Sequence, residues 1–184
     1  MILTDTHTHL YYEPDPQEQD AMMERALTQG VERLFLPNVN AHTIPMVFDL
    51  AKRYPANCFP MLGLHPCDVK LEPTSEQDDY QTELAKINAA ITKHKIYAIG
   101  EIGIDLHWDK STLAIQEEAF LSQIKWAKEL NLPIVIHCRD AFDEIMRLLE
   151  PEKDEKLRGI FHCFTGTLEQ AKKIIDLNFY LGIG

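Results

Sequence analysis

Short apolar runs alternate with segments of helical period along the chain. Seven apolar runs predict buried strands at residues 1–5, 32–39, 58–66, 95–105, 132–139, 158–166 and 178–184. Apolar residues at three- and four-residue spacing predict helices within 76–93, 111–130, 140–150 and 167–177. Asp140 and Thr167 stand where N-caps are expected, and the Pro- and acid-rich stretch 12–20 predicts a loop. The order is βα repeated six times, followed by a seventh strand.

This alternation predicts a parallel sheet covered by helices, for which a doubly wound sheet and a (β/α)8 barrel are both candidates. Barrel active sites collect at the C-terminal ends of several strands. A doubly wound nucleotide binder would have a glycine-rich first turn, and residues 6–14 contain no glycine. We therefore expect an α/β fold of the TIM type. Ionisable residues end strand after strand: His7, His9, His65, Glu101, His137, Arg139 and His162.

The length is short for such a barrel. A complete one has about 250 residues, whereas this sequence has 184 and ends in its seventh strand. We expect residues 1–184 to form a single incomplete barrel domain without a second domain, and the sequence to be a truncated form of a longer protein. An open barrel of this kind would expose two strand edges and part of its core.

Composition narrows the class of protein. No apolar run reaches about 18 residues, so no membrane span is expected. The N-terminus lacks the basic and apolar segments of a signal peptide, so a cytoplasmic monomer is the default expectation. Four cysteines without C-x-x-C spacing predict buried free thiols rather than disulfides. The net charge of −11 argues against a broad basic surface for nucleic acid. Positive charge for a phosphodiester would have to be local, and bound metal ions are one way to supply it.

The histidines suggest such ions. His7 and His9 are two residues apart at a strand end, where both side chains share a face. They are either solvated or two ligands of one metal. Imidazole and carboxylate together suit Zn, Mn, Fe, Co or Ni. With Glu101, His137 and His162 there are five donors, more than one catalytic ion needs, so we expect two divalent ions bridged by a carboxylate. Parity places His137 on the face of Val135 and turns Cys138 and Cys163 toward the helices.

Five motifs in order resemble the TatD family of metal-dependent hydrolases, from Thr4 to Gly184. They are the H-x-H of residues 7–9, GLHP (63–66), GEIGID (100–105), VIHCRDA (135–141) and FHCFTG (161–166). The resemblance implies an amidohydrolase-like barrel with DNase or phosphodiesterase activity. It implies that His7 and His9 bind one metal, that His137 and His162 bind a second, and that Glu101 bridges both as the catalytic carboxylate. His65 and Arg139 would contact the substrate.

The sequence departs from the family pattern in two places. The family has an aspartate at the end of strand eight, as metal ligand and proton acceptor, and this sequence ends before that strand. After GID the family often has Tyr or Phe, whereas here Leu106 and His107 precede Trp108, which puts a stacking role at this turn in doubt.

Several residues have a second interpretation. Arg139 could pair only with Asp140 or Asp143. Asp5 and Asp105 could orient a ligand histidine, or only bond to backbone N–H groups.

The leading hypothesis is a hydrolase in which a metal-activated water cleaves phosphodiester bonds of DNA in the manner of an exonuclease. The metal is Zn, Mg, Mn or a similar divalent ion. Two alternatives stay open. The same ligands serve barrels that cleave esters, amides or lactones, and the chain could be a catalytically incomplete fragment.

Overall fold

The computed structural model describes residues 1–75 and 77–183. Across these residues seven strands alternate with six α-helices. The strands are β1 (Leu3–Asp5), β2 (Val31–Pro37), β3 (Cys58–Met61), β4 (Ile99–Asp105), β5 (Ile134–Arg139), β6 (Gly159–Phe161) and β7 (Phe179–Leu181). The helices are α1 (Pro16–Thr28), α2 (Ile44–Arg53), α3 (Tyr80–Ile91), α4 (Leu113–Leu130), α5 (Phe142–Glu152) and α6 (Leu168–Asp176).

All the strands run parallel and follow one another in chain order. They form a three-stranded sheet, β1–β2–β3, and a four-stranded sheet, β4–β5–β6–β7. A bridge between Leu62 and Ile99 joins the two sheets, and Gly100 N–H donates to the Leu62 carbonyl at 2.9 Å. The array is strongly curved. Its curvature brings the ring of His7, after β1, onto the ring of His162, after β6, with centroids 3.5 Å apart. This is the predicted TIM-type barrel, with β1 and β7 as the outer strands of the described array.

Apolar side chains fill both faces of the sheet. Along β5, Ile134 and Ile136 are fully buried against the helices, whereas Val135 joins a small inner cluster with Met61 and Ala98. Burial of one such side chain stabilises the fold by about 1.5–3 kcal/mol. Because side chains alternate, His137 follows on the inner face with Val135, as parity predicted, and Cys138 packs on the helix side.

One N-terminal prediction needed correction. The predicted loop 12–20 contains the start of α1, because the Asp15 side chain accepts from Gln17 N–H and Pro16 occupies the first helical position. Helix α3 lies within the predicted range 76–93 and begins at Tyr80, because the Asp79 side chain accepts from the backbone N–H groups of Gln81 and Thr82. Glu76, where the prediction began, lies outside the described residues, as does Gly184 in the last predicted strand.

Two predictions near the strand ends were also wrong. Asp140 is not an N-cap: its φ is 55°, the N-cap position of α5 is Ala141, and the Asp140 carboxylate turns to His107 instead. Thr167 does cap α6, in a capping box with Gln170. The four cysteines are free, but of the predicted buried thiols only Cys58 is buried, and Cys67 and Cys138 are half-buried. Cys163 is exposed, because β6 ends at Phe161 and residue 163 lies in the following turn.

None of the helices in the described ranges combines the length and the apolar character needed to cross a membrane.

Candidate metal centre

Glu101 lies at the centre of the histidine cluster, and local backbone geometry puts it there. The register between β4 and β5 shifts between Gly100 and Ile102, so Glu101 is the extra residue of a bulge. Bulges re-aim a side chain. The flanking glycines allow the close approach: a Cβ on Gly100 would lie 2.7 Å from that of Val135, and a Cβ on Gly103, at φ 148°, would overlap the His137 carbonyl oxygen.

The Glu101 carboxylate is 3% exposed and faces imidazoles on two sides. Its Oε2 lies 3.0 Å from His7 Nε2 and 3.9 Å from His9 Nε2. Burial alone would raise the pKa of Glu101, but hydrogen bonds from His137, His65 and His7 outweigh it and hold the pKa well below its ordinary value. The carboxylate is therefore ionised and available as a ligand. The distances from Oε1 are 2.9 Å to His137 Nδ1, 3.7 Å to His65 Nε2 and 3.9 Å to His162 Nε2.

The first side of the centre, which we call the His7 side, consists of His7, His9 and His162. Donor atoms of His7, Glu101 and His162 all lie within 4.8 Å of one another, and His9 Nε2 lies 3.1 Å from His7 Nε2. Burial is the main cause that lowers the pKa of His9 and that of His162 to about 4, with His7 adding to it. Both rings are neutral near pH 7, which is the form that binds metal.

A hydrogen-bond relay assigns the tautomer of His9. The Tyr11 hydroxyl donates to the Pro37 carbonyl at 2.7 Å, so its oxygen accepts from His9 Nδ1–H at 2.8 Å. The proton on Nδ1 leaves a lone pair on Nε2, which faces His7 and Glu101. Tyr11 went unnoticed in the sequence, although it continues the two-residue spacing of His7 and His9.

His7 provides the test of whether a cation fits here. Among the described residues, its Nδ1 is the one buried side-chain nitrogen or oxygen without a hydrogen-bond partner. Buried polar atoms are rarely left unsatisfied unless they serve a functional group. The nitrogen of His7 that faces the cluster is Nε2, which lies 3.0 Å from the ionised Glu101 carboxylate and 3.1 Å from His9 Nε2. Together with His162 these atoms form a donor set that suits a divalent ion of the Zn or Mn type.

The second side, which we call the His137 side, consists of His137, His65 and Asp105. His137 Nε2 lies 2.9 Å from Asp105 Oδ2, and its Nδ1 lies 2.9 Å from Glu101 Oε1. Burial lowers the pKa of His137, but the two carboxylates outweigh it and raise the pKa above its ordinary value. The two carboxylates thus favour the protonated ring, so an ion that binds Nδ1 between His137 and Glu101 would compete with a proton.

Asp105 orients His137, which was one of its two expected roles. Its Oδ2 accepts from Nε2–H, and its Oδ1 accepts from the backbone N–H groups of His107 at 2.9 Å and Trp108 at 3.2 Å. The tautomer with Nε2–H directs the Nδ1 lone pair toward Glu101. Asp5, by contrast, accepts the backbone N–H of His7 at 3.0 Å.

His65 holds its proton on the nitrogen that faces the centre. Its Nδ1 accepts from the backbone N–H of Cys67 at 3.1 Å, so the neutral ring carries its proton on Nε2. Nε2 lies 3.7 Å from Glu101 Oε1 and 3.3 Å from His137 Nδ1. Although distance alone would also allow His65 to share an ion with Glu101 and His137, the tautomer makes it a hydrogen-bond donor. This favours the expected contact with substrate.

Arg139 is exposed at the mouth of the site. Its guanidinium lies over the Trp108 ring, 5.4 Å from the ring centroid. Within residues 1–75 and 77–183 no carboxylate forms an ion pair with it, and Asp140 pairs with His107 Nδ1 at 3.2 Å. The pairing of Arg139 with Asp140 or Asp143 is therefore not what the structure shows, and the guanidinium is open to a ligand.

The predicted site residues thus converge at one edge of the barrel. The structure groups His162 with His7, whereas the family resemblance implies that it binds with His137. The division of ligands between two ions stays a prediction. A barrel with histidine and carboxylate donors at its C-terminal strand ends belongs to the class of metal-dependent hydrolases.

Comparison with known proteins specifies the class. A family model described as TatD-related DNase matches residues 4–184, and the chain belongs to that family. It is 39% identical over 183 residues to the uncharacterized metal-dependent hydrolase YabD of Bacillus subtilis, covering 100% of this chain and 69% of that protein. It is 39% identical over 167 residues to the 3'-5' ssDNA/RNA exonuclease TatD of Citrobacter koseri. That match covers 91% of this chain and 61% of the exonuclease, which is less than two thirds of its length.

Solved structures agree on the fold. The TatD homologue YjjV of Escherichia coli superposes with a TM-score of 0.84 at 29% identity, covering 97% of this chain and 66% of that one. A TatD family hydrolase of Entamoeba histolytica gives a TM-score of 0.78 at 20% identity, covering 100% of this chain and 65% of that one. The second likeness concerns the fold alone.

Proposed function

We propose that this chain carries the metal centre of a phosphodiesterase that removes nucleotides from an end of single-stranded DNA or RNA. The observation that carries the proposal is the convergence of five histidines on one buried, ionised carboxylate, Glu101. The printed name of the Citrobacter relative, a 3'-5' ssDNA/RNA exonuclease, supports the substrate class.

The proposed ligands are the five donors that the sequence predicted. His7, His9 and His162 would hold one divalent ion, His137 a second, and Glu101 would contact both. Ions bound there would lower the pKa of a bound water toward neutrality and offset the charge of the phosphate. Glu101 contributes a carboxylate that stays ionised, and Asp105 keeps the Nδ1 lone pair of His137 directed at it.

Two residues are placed to bind the substrate phosphate. His65 directs its Nε2–H toward the centre, where it would donate a hydrogen bond to a phosphoryl oxygen of the substrate. Arg139 offers a planar guanidinium that suits phosphate geometry and lacks a competing carboxylate partner among the described residues. Both donors would stabilise the charge that builds on the phosphoryl oxygens as water attacks phosphorus.

The acidic surface fits a substrate that is held by its end. With a net charge of −11, a duplex gripped along its length would be repelled. Positive charge for the phosphate would come from ions bound at the centre and from Arg139.

The test is a cleavage assay on a 5'-labelled single-stranded oligonucleotide with Mn²⁺, Mg²⁺ or Zn²⁺. Stepwise shortening from the 3' end is expected, and Glu101→Gln should not support it. A phosphorothioate at the 3' terminus should delay the ladder. No shortening of DNA or RNA with any of these ions would contradict the proposal, and cleavage within a circular single strand would contradict the end preference.

A further inference from the structure

Trp108 is a large aromatic residue that the fold leaves open to solvent. It is 70% exposed and lies three residues beyond Asp105, the last residue of β4. Two hydrogen bonds connect its backbone to a proposed metal ligand. The backbone N–H of Trp108 donates to Asp105 Oδ1, and Asp105 Oδ2 accepts from His137 Nε2–H. The indole therefore lies at the mouth of the site rather than on a remote surface.

The indole is also held in place. The guanidinium of Arg139 covers it at 5.4 Å, and the ring of His107 meets it edge-on, with centroids 4.9 Å apart and an interplanar angle of 88°. His107 is itself fixed by Asp140, at 3.2 Å. The turn that follows is ordered by Asp109, whose Oδ1 accepts from Ser111 N–H at 2.8 Å. A fixed, solvent-facing aromatic ring is what a stacking ligand requires.

We propose that Trp108 stacks on a nucleobase of the substrate strand, and that Arg139 contacts the phosphate beside that base. The inference rests on the proposed function and names the part of the substrate that the site recognises outside the metal centre. Stacking on an aromatic ring is independent of base sequence and of charge. It would therefore give a strongly acidic protein affinity for single strands that phosphate contacts alone do not provide.

The exposed Trp108 ring also bears on the second departure from the family pattern, the missing aromatic residue directly after GID. The aromatic residue expected directly after GID is absent, and Leu106 at that position is buried. Trp108, two positions further on, supplies an exposed ring in its place. Bases in the interior of a duplex would not offer the same contact, because both of their faces are already stacked on neighbouring bases.

Fluorescence measures the contact without turnover. The chain has two tryptophans, so Trp126→Phe leaves Trp108 as the single indole. Titration of this variant with a thymidine oligonucleotide in EDTA is expected to quench the emission to saturation. No saturable quenching would overturn the proposal, even if the enzyme cleaves the same strand in the presence of metal.

The binding affinity of Trp108 variants then tests whether the indole contributes to binding by stacking on a base. By competition against a labelled strand, Trp108→Ala should weaken binding by about 5- to 100-fold, the usual effect of losing one stacked base, whereas Trp108→Phe should retain most of it. Tyr180→Ala is the matched control, because Tyr180 is 75% exposed but lies on β7. It should leave binding unchanged.

An abasic scan gives the decisive comparison. A single tetrahydrofuran residue is moved through the last four nucleotides of the strand. Wild-type protein should lose affinity at one position by the same factor as Trp108→Ala loses with the intact strand, and Trp108→Ala should show no further loss there. Equal abasic penalties in both proteins would overturn the proposal. If the abasic penalty depends on Trp108 as predicted but no strand is cleaved, the stacking proposal stands and only the hydrolase function is overturned.

Discussion

On the His7 side of Glu101 the pKa values of His9 and His162 are lowered to about 4, whereas on the other side the pKa of His137 is raised. Burial lowers the pKa of all three rings, and the difference between the two sides comes from the number of carboxylates that face each ring. His137 lies between Glu101 and Asp105, at 2.9 Å from each, while the His7 side shares Glu101 alone among three imidazoles. One side therefore offers neutral ligands, whereas on the other side an ion would compete with a proton for His137. The comparison predicts tighter metal binding on the His7 side, because no proton has to leave first.

Removal of the shared carboxylate should have the largest effect. Glu101→Gln keeps the shape but loses the charge that both sides face. We expect metal affinity on both sides to fall by about 10²-fold or more, beyond the effect of an outer hydrogen-bond partner. Calorimetric titration with Zn²⁺ measures the affinity and the number of ions bound. If one side retained its affinity, Glu101 would not be the shared ligand.

Reversal of one hydrogen bond should weaken only the His137 side. In Asp105→Asn, the amide oxygen can still accept from the backbone N–H groups, which leaves NH₂ facing His137 Nε2. Two donors then oppose each other, so His137 shifts its proton to Nδ1. We expect a 10- to 100-fold loss of affinity for one ion. Asp109→Asn, in the same turn, is the control and should change neither ion.

Acidification should destabilise the metal-free protein. His9 and His162 have folded pKa values near 4, below the ordinary 6.5, so their contribution is present above pH 6.5 and is lost as the pH falls toward 4. His137 acts in the opposite sense: its contribution is complete below pH 6.5 and is lost as the pH rises through its raised pKa. Because the His137 contribution is already complete below pH 6.5, it does not offset the loss from His9 and His162, and the melting temperature in EDTA should fall between pH 6.5 and 4.

A matched variant tests the origin of that slope. His162→Asn should flatten the decline, because one of the two histidines no longer titrates. An unchanged slope in this variant, or a melting temperature that rises on acidification, would contradict the assignment.

The smallest effect is expected at Tyr11. Tyr11→Phe removes the acceptor of His9 Nδ1–H and frees the tautomer of His9, but leaves the ring packed. A single hydrogen bond contributes about 0.5–1.5 kcal/mol, so metal affinity on the His7 side should fall by only a few-fold. Tyr12→Phe is the neighbouring control. A loss as large as that of Glu101→Gln would mean that Tyr11 does more than orient His9.

Much of this could be predicted from the sequence because it depends on local period. The two-residue alternation in β5 places His137 with Val135 and turns Cys138 away, and the strand-end positions of the donors follow from the βα order. Gly100 and Gly103, which flank Glu101 and allow the close backbone approach, are also visible in the sequence. These features need no knowledge of how distant strands meet.

What could not be predicted depends on curvature and on backbone conformation. His7 and His162 are 155 positions apart in the numbering, and only the bend of the sheet stacks their rings. The positive φ of Asp140 removes it from the N-cap position and brings it to His107. The proton positions on His9 and His65 depend on Tyr11 and on the backbone of Cys67, partners that spacing alone does not identify.

The central claim, two ion sites that share Glu101 and have His162 on the His7 side, is tested most directly by elemental analysis of bound Zn²⁺ per chain. We predict about two ions in the wild type, one in His162→Ala, one in His7→Ala/His162→Ala, and none in His137→Ala/His162→Ala. One ion retained in His137→Ala/His162→Ala, together with none in His7→Ala/His162→Ala, would contradict the account and place His162 with His137.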